Sequence, residues 1–333
     1  MSNVFQSLLQ RFFLKRLIEQ KQASPETVKS YRDAFRIYLE YLDAVHHCPP
    51  HKIGIEHMEA EYVLGFLNYL SGKRKNQTAT INSRLAAIHA FLRFVSFEEP
   101  DFSATVQRSL MIPCQKAARR QVDYLTRQEI DALLGVCSVK EALGRRDQMM
   151  VLLLYNTGAR VSELVNLKLG DIVFDGSGFA GSVHIVGKGR KERTVPLWKT
   201  TLSAIRRYSE EHQLQPDDKL FSSFVGGELT RSGVRYRIRR LVEEAQEGMP
   251  SLRDRRISPH TFRHSTALHL LQARVDLSGI AIWLGHENIN TTHEYMEADM
   301  DMKESILAKL ASPSANLSRY KPSRDVLAFL SSL

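Results

Sequence analysis

Between Met111 and Val122 the chain sustains no hydrophobic period. Pro113 removes a backbone donor, and Lys116, Arg119 and Arg120 add charge without an apolar stripe. Such a stretch cannot run through a packed core, so the chain on either side must bury its apolar residues separately. The expectation is two domains, residues 1–112 and 123–333, joined by a linker at residues 113–122, each long enough for a core of its own.

Upstream of the linker the pattern is helical. Ser24-Pro25-Glu26 combines a capping serine, a proline at the first helical position and an acid near the positive end of the helix dipole. Val28, Tyr31, Phe35, Tyr38, Leu39 and Leu42 recur at three- and four-residue steps, predicting an amphipathic helix to about Val45 that Pro49 and Pro50 close. Further helices are expected from about Glu56 to Leu70, from about Thr78 to Phe97 and over Ser103–Leu110. Downstream, Thr126 and Glu129 form a capping box, and Arg146 to Asn156 reads as a buried helix stopped by Gly158. Strands are predicted at Ile172–Phe174, Val183–Val186 and Arg193–Leu197, with helices again from Thr200. The fold class is mainly α: a helical bundle, then an α+β domain with a small antiparallel sheet.

Net charge is +9, and both parts contribute: 17 basic and 11 acidic residues up to Arg120, 29 and 26 beyond it. A polyanionic partner fits both domains, and the excess is too mild for a disordered basic tail. Cys48, Cys114 and Cys137 are far apart and form no CxxC pair, which argues against a disulfide framework or a zinc site and fits a reducing compartment. Apolar runs such as Met149 to Tyr155 are too short to span a bilayer. Leu8 to Ile18 is interrupted by Arg11, Lys15 and Arg16 and lacks a small-residue cleavage site, so it is not read as a signal peptide. The expectation is a cytoplasmic protein without membrane association, metal or cofactor.

Five short motifs stand in one order along the second domain. They are Thr157-Gly158-Ala159-Arg160-Val161-Ser162-Glu163-Leu164, Gly187-Lys188-Gly189, His260-Thr261-Phe262-Arg263-His264, Leu284-Gly285-His286, and Tyr295 nine residues after His286. Arg160 follows a helix stop, with Glu163 three residues on and so on the same helix face. Ser258-Pro259 starts a helix that puts His260 and Arg263 on one face, with His264 beside them as a core or supporting group. Lys188 lies in a turn between two strands; the GxxxxGK[ST] frame of a nucleotide P-loop is absent. Asn290-Thr291-Thr292 can cap a short helix carrying Tyr295.

Together these motifs resemble the tyrosine site-specific recombinases, the phage integrase family, and the resemblance runs from about Ser24 to about Leu310. It implies that the N-terminal bundle is a SAM-like core-binding domain and that the second domain breaks and rejoins a phosphodiester bond. Arg160 and Arg263 would clamp the scissile phosphate, because a guanidinium donates two hydrogen bonds and stays charged. Lys188 would enter the minor groove and protonate the leaving 5′ oxygen. His260 becomes a phosphate donor or proton acceptor, His286 a phosphate donor or a helper of the nucleophile, and Glu163 an orienting acid. Tyr295 is the nucleophile; a phenol with a pKa of about 10 needs such cationic surroundings to attack. A 3′-phosphotyrosyl ester conserves the bond energy, so neither ATP nor metal is required.

The resemblance also implies a clamp around double-stranded DNA, a dimer at each recombination site, a tetrameric synapse and, in some systems, accessory recombinase or transposon proteins. Lys73, Arg74 and Lys75 read as a phosphate-contacting turn or simply a solvated one. Arg231, Arg235, Arg237, Arg239 and Arg240 crowd one stretch, some suited to backbone contact and one or two to base readout. The apolar segment Asp325–Leu330 either docks on a neighbouring protomer or packs on its own domain. Gly187-Lys188-Gly189-Arg190-Lys191-Glu192-Arg193 looks bacterial and Xer-like, acting on nucleoid DNA. The lengths before Ser24 and after about Leu310 favour an integrase of a mobile element. The alternatives are a silent DNA-binding regulator on the same scaffold and a type IB topoisomerase-like relaxation activity.

Overall fold

Aromatic residues decide how the chain begins. Phe5, Leu8, Phe12 and Leu17 are buried on a segment that starts as helix α1 (Val4–Arg11) and continues as a π-helix, Phe12–Gln20. The π-helix places residues five apart on one side, as the Lys21 amide donating to the Arg16 carbonyl at 3.0 Å reflects. Phe12 and Leu17 share the buried side for that reason. The Phe12 ring lies 5.4 Å from Phe91, 5.6 Å from Phe94 and 6.3 Å from Phe35. The computed structural model that carries these contacts describes residues 4–116, 123–175, 180–187, 191–223 and 226–285.

The chain forms two compact units, Met1–Arg120 and Gln121–Leu333. In the first, α2 (Pro25–His46) opens as its cap predicts, with the Thr27 amide donating to Ser24 Oγ at 3.3 Å. The helix expected from Glu56 to Leu70 is instead a 3₁₀ turn, Ile55–Met58, and a helix α3 (Ala60–Gly72) separated at the extended Glu59. The break has a tertiary cause. Tyr38 Oη donates to the His57 carbonyl at 2.5 Å and Ser109 Oγ to the Met58 carbonyl at 2.7 Å, so both acceptors are turned away from a continuous helix. Helices α4 (Thr78–Glu98) and α5 (Ser103–Leu110) complete the bundle around Tyr38, Phe66, Leu85 and Phe91.

The second unit opens with α6 (Arg127–Gly135), whose capping box forms as read: the Thr126 amide donates to Glu129 Oε2 at 2.8 Å and the Glu129 amide to Thr126 Oγ1 at 3.2 Å. Helix α7 (Ala142–Thr157) ends at Gly158 in the left-handed region, φ 60°. Helix α8 (Val161–Leu164) is a single turn. Among the described residues, β1 (Ile172–Phe174), β2 (Gly181–Val186) and β3 (Glu192–Pro196) form an antiparallel sheet in that order, with Ile172 opposite Val183, Val183 opposite Val195 and Ile185 opposite Arg193. Helices α9 (Lys199–Glu211), α10 (Arg231–Ala245), α11 (Pro259–Gln272) and α12 (Leu277–Leu284) follow.

One buried amide ties these elements together. Asn156 Nδ2 donates to the Pro196 carbonyl at 3.1 Å, and Asn156 Oδ1 accepts from the Trp198 amide at 2.8 Å and Thr201 Oγ1 at 3.1 Å. Its own carbonyl accepts from Trp283 Nε1 at 3.1 Å, so α7 is fastened to β3, α9 and α12 at one residue. No helix among the described residues is long and apolar enough to cross a membrane. Truncating Phe12 to alanine removes a ring packed among five others, and the first unit should lose about 3–5 kcal/mol. Urea unfolding followed by far-UV circular dichroism would measure it; an unchanged midpoint would mean the leading segment is not part of the core.

Candidate active site

Ser258 caps α11, accepting from the Thr261 amide at 3.4 Å, and Pro259 takes the first helical position. His260 and Arg263 therefore lie three apart on the first turn, yet in different surroundings. His260 is exposed, whereas Arg263 is 2% exposed. Arg263 Nη1 donates to the Gly158 carbonyl and Nη2 to the Leu284 carbonyl, each at 2.7 Å. Both acceptors sit where a helix, α7 or α12, has run out of its own amide donors. Gly158 and Gly285 stop those helices in the left-handed region, φ 60° and 63°. A Cβ on Gly158 would also collide with the Leu284 side chain, so the two turns are packed on each other.

Arg160 precedes α8 in extended conformation and reaches the same place. Its Nη1 donates to Glu163 Oε1 at 2.7 Å and its Nη2 to the Gly285 carbonyl at 3.4 Å, while its side chain stays about one-third exposed at 34%. Arg160 and Arg263 thus meet on the Leu284–Gly285 turn, with Glu163 holding Arg160. Glu163 is buried, and its Oε2 accepts from the Arg160 amide at 2.9 Å and from Arg193 Nη2 at 2.7 Å. Burial pulls the Glu163 carboxyl upward, but Arg193 and then Arg160 outweigh it and hold it below the usual carboxylate range. His264 is half-buried with its ring 4.3 Å from that of His260. Burial first, then His260 and Arg263, push it down to about 4, so it is neutral at pH 7.

Lys188, His286 and Tyr295 lie outside the described residues, as do the Asn290–Thr292 cap and the Asp325–Leu330 segment. Their flanks are defined. The Gly187 amide donates to the Lys191 carbonyl at 2.7 Å, and Gly285 terminates α12 immediately before His286.

Of the residues read as DNA contacts, Lys73, Arg74 and Lys75 are exposed just past α3, with Arg74 Nη1 3.8 Å from Glu40. Arg231, Arg235, Arg239 and Arg240 are exposed on α10, where Arg239 and Arg240 lie 3.6 and 2.9 Å from Glu243. Arg237 is turned inward: its Nε and Nη2 donate to Asp147 Oδ2 at 2.8 and 2.7 Å. Asp147 is fully buried and also accepts from Arg146 at 3.0 Å, so Arg237 neutralises an interior carboxylate.

The sequence reading passed over Arg193 as a site residue. The signal was present: along β3 the inward positions alternate, and Arg193 shares its face with buried Val195. A charge on the core side of a strand requires a partner.

Residues 123–302 match the phage integrase family, and residues 10–99 the phage integrase N-terminal SAM-like domain. "Putative integrase/recombinase y4rC" of Sinorhizobium fredii is 41% identical over 326 residues, 98% of this chain and 97% of the relative. The chain belongs to the phage integrase family. A tyrosine recombinase XerC of Oceanobacillus iheyensis is 31% identical over 91% of this chain and 95% of its own. Among solved structures, the XerH site-specific recombinase bound to a palindromic difH substrate superposes with a TM-score of 0.68 at 21% identity, covering 86% of this chain and 81% of that one. The shared fold is thus a SAM-like helical domain followed by a mainly helical catalytic domain with a small antiparallel sheet.

Two arginines on α10 should behave oppositely. Arg237→Ala strands the buried Asp147 charge on one partner and should cost about 3 kcal/mol, whereas exposed Arg235→Ala should stay within about 0.5 kcal/mol. Thermal unfolding of both variants checks the contrast; equal small losses would show that Asp147 does not depend on Arg237.

Proposed function

We propose that this chain cleaves and rejoins DNA strands at specific sites, with Tyr295 as nucleophile and Arg160, Arg263, Lys188, His260 and His286 as the groups that act on the scissile phosphate. Site-specific DNA recombination is the activity of the family to which the chain belongs. The observation that carries the assignment is the convergence of Arg160 and Arg263 on one turn, Leu284–Gly285, directly before His286. Two guanidinium groups fixed before the reaction cost no reorganisation when charge builds on the non-bridging oxygens. Arg263 serves from a buried position held by backbone carbonyls, and Arg160 from a half-exposed one held by Glu163.

The chemistry balances without an external energy source. Tyr295 Oη forms a bond to phosphorus as the bond to the 5′ oxygen breaks. The phenolic proton passes to a histidine, and Lys188 supplies a proton to the departing 5′ oxygen. The product is a 3′-phosphotyrosyl ester and a free 5′ hydroxyl. A 5′ hydroxyl from a partner duplex then reverses the step. An ammonium with a reference pKa of about 10 suits this task because the alkoxide it protonates is more basic still.

Exchange between two duplexes requires a nucleophile for each of four strands, which supports a dimer on each site and a tetramer in the synapse. The bacterial relatives support action in the cytoplasm on nucleoid DNA, and the relative carrying the word integrase supports integration of a mobile element. The exposed arginines Arg231, Arg235, Arg239 and Arg240, together with Lys73, Arg74 and Lys75, supply phosphate contacts, with Arg237 reserved for Asp147.

The test uses nicked suicide duplexes built from the DNA flanking the gene, resolved on a denaturing gel. Wild type should give a slow-migrating covalent adduct and Tyr295→Phe none. Arg160→Ala and Arg263→Ala should each slow adduct formation about 10²–10³-fold while retaining binding. Adduct formation that survives Tyr295→Phe would remove Tyr295 from the role; binding without adduct in wild type would overturn the enzymatic reading.

A further inference from the structure

We infer that Arg193 is a positioning residue of the same centre, holding the Glu163 carboxylate, and through it Arg160, against the Leu284–Gly285 turn. The inference rests on the functional reading above. Its basis is the junction this side chain makes between β3, Glu163 and the turn. Arg193 enters from β3, opposite Ile185, with its side chain 8% exposed, and donates through Nη2 to Glu163 Oε2 at 2.7 Å. Its shaft lies along the turn: a Cβ built on Gly285 would stand 3.2 Å from Arg193 Cδ and Nη1. At the base of the β2–β3 hairpin, a Cβ on Gly187 would stand 3.1 Å from Glu163 Oε1 and 3.7 Å from Arg193 Nη1. One side chain thus touches the orienting acid and the turn that both clamp arginines use, and approaches the residue before Lys188.

Two further observations give this contact a role in the chemistry. Arg193 Nε is buried and finds no acceptor among the described residues, so among them the Nη2 bond to Glu163 is what fixes the guanidinium. Glu163 can orient Arg160 only while ionised, since a carboxylate accepts at both oxygens and a carboxylic acid must donate at one. Among the described residues, the charged groups shown facing that carboxylate are Arg160, from its own helix start, and Arg193, from β3. Burial drives the carboxyl toward protonation, and Arg193 opposes it more strongly than Arg160 does. A neutral side chain at 193 leaves burial opposed by Arg160 alone, so the folded-state pKa rises. The carboxylate is then lost as pH falls through a range in which wild type keeps it.

The experiment follows adduct formation on the nicked flanking-DNA duplexes from about pH 9 down to about pH 6, normalised to native protein by circular dichroism. The acid limb of the Arg193→Met profile should be displaced to higher pH than wild type's, with most of the rate recovered at the alkaline end. Glu163→Gln should be slow at every pH, and adding Arg193→Met to it should change the rate by less than about threefold, as expected of residues acting in one unit. If Arg193→Met does not fold, Arg193→Lys decides, because a point charge that cannot bridge should shift the profile the same way by less. Parallel pH profiles for wild type and the 193 variant, or full additivity with Glu163→Gln, would overturn the positioning role alone. A wild type that forms no adduct would overturn the functional reading and this one with it.

Discussion

A guanidinium buried by two leftover carbonyls is the constraint on which the centre is built. A helix that stops inside a protein leaves acceptors without intrahelical donors, and burying them unsatisfied is costly. Here α7 and α12 stop against each other, each at a left-handed glycine, and Arg263 satisfies the Gly158 and Leu284 carbonyls at once. The arginine and the turns depend on one another. Without the arginine the turns bury unpaired oxygens; without the turns the arginine has no neutral acceptors on both sides of its fork. The guanidinium is thereby held by backbone dipoles at both ends of its fork.

Arg160 is held differently, by a carboxylate that is itself shared. Glu163 divides its two oxygens between Arg160 and Arg193. The same unit repeats this arrangement at Asp147, which lies between Arg146 and Arg237. Buried ion pairs of this kind contribute little net stability against apolar replacements, and their better-attested value is to favour one arrangement over its competitors. Arg160, Arg193 and Arg263 all reach the Leu284–Gly285 turn, and repulsion among neighbouring cations works against assembly. An interior acid shared by two arginines answers that repulsion locally.

What could be read from the amino acids alone follows the range of the interaction that decides each feature. Caps and stops are local, so Ser24, Thr126 with Glu129, Gly158 and Ser258 all mark the helix boundaries they announce. The strand Ile172–Phe174 is found where its apolar residues put it. The break at Glu59 was not legible, because the donors that cause it, Tyr38 and Ser109, come from α2 and α5. The leading π-helix escaped because a five-residue spacing has no signature in a 3.6-residue search. Among charged residues, the pairing of Arg160 with Glu163 is visible at three residues' distance, whereas Arg237 with Asp147 spans 90 positions and Arg193 with Glu163 spans 30. The ordered motifs identified the family; the inward side of β3 was needed to see Arg193.

The Asn156 knot has an optical consequence. The chain contains two tryptophans, Trp198 and Trp283, and both bind this one asparagine, one through its backbone amide and one through its indole. Indole emission therefore reports the second unit alone and senses the loosening of α7 from β3, α9 and α12 through a single residue. The first unit has no tryptophan and is dark in that channel. Selective excitation of indole thus follows the second unit alone in the unmodified protein, so a change in it on adding DNA is assigned without labelling.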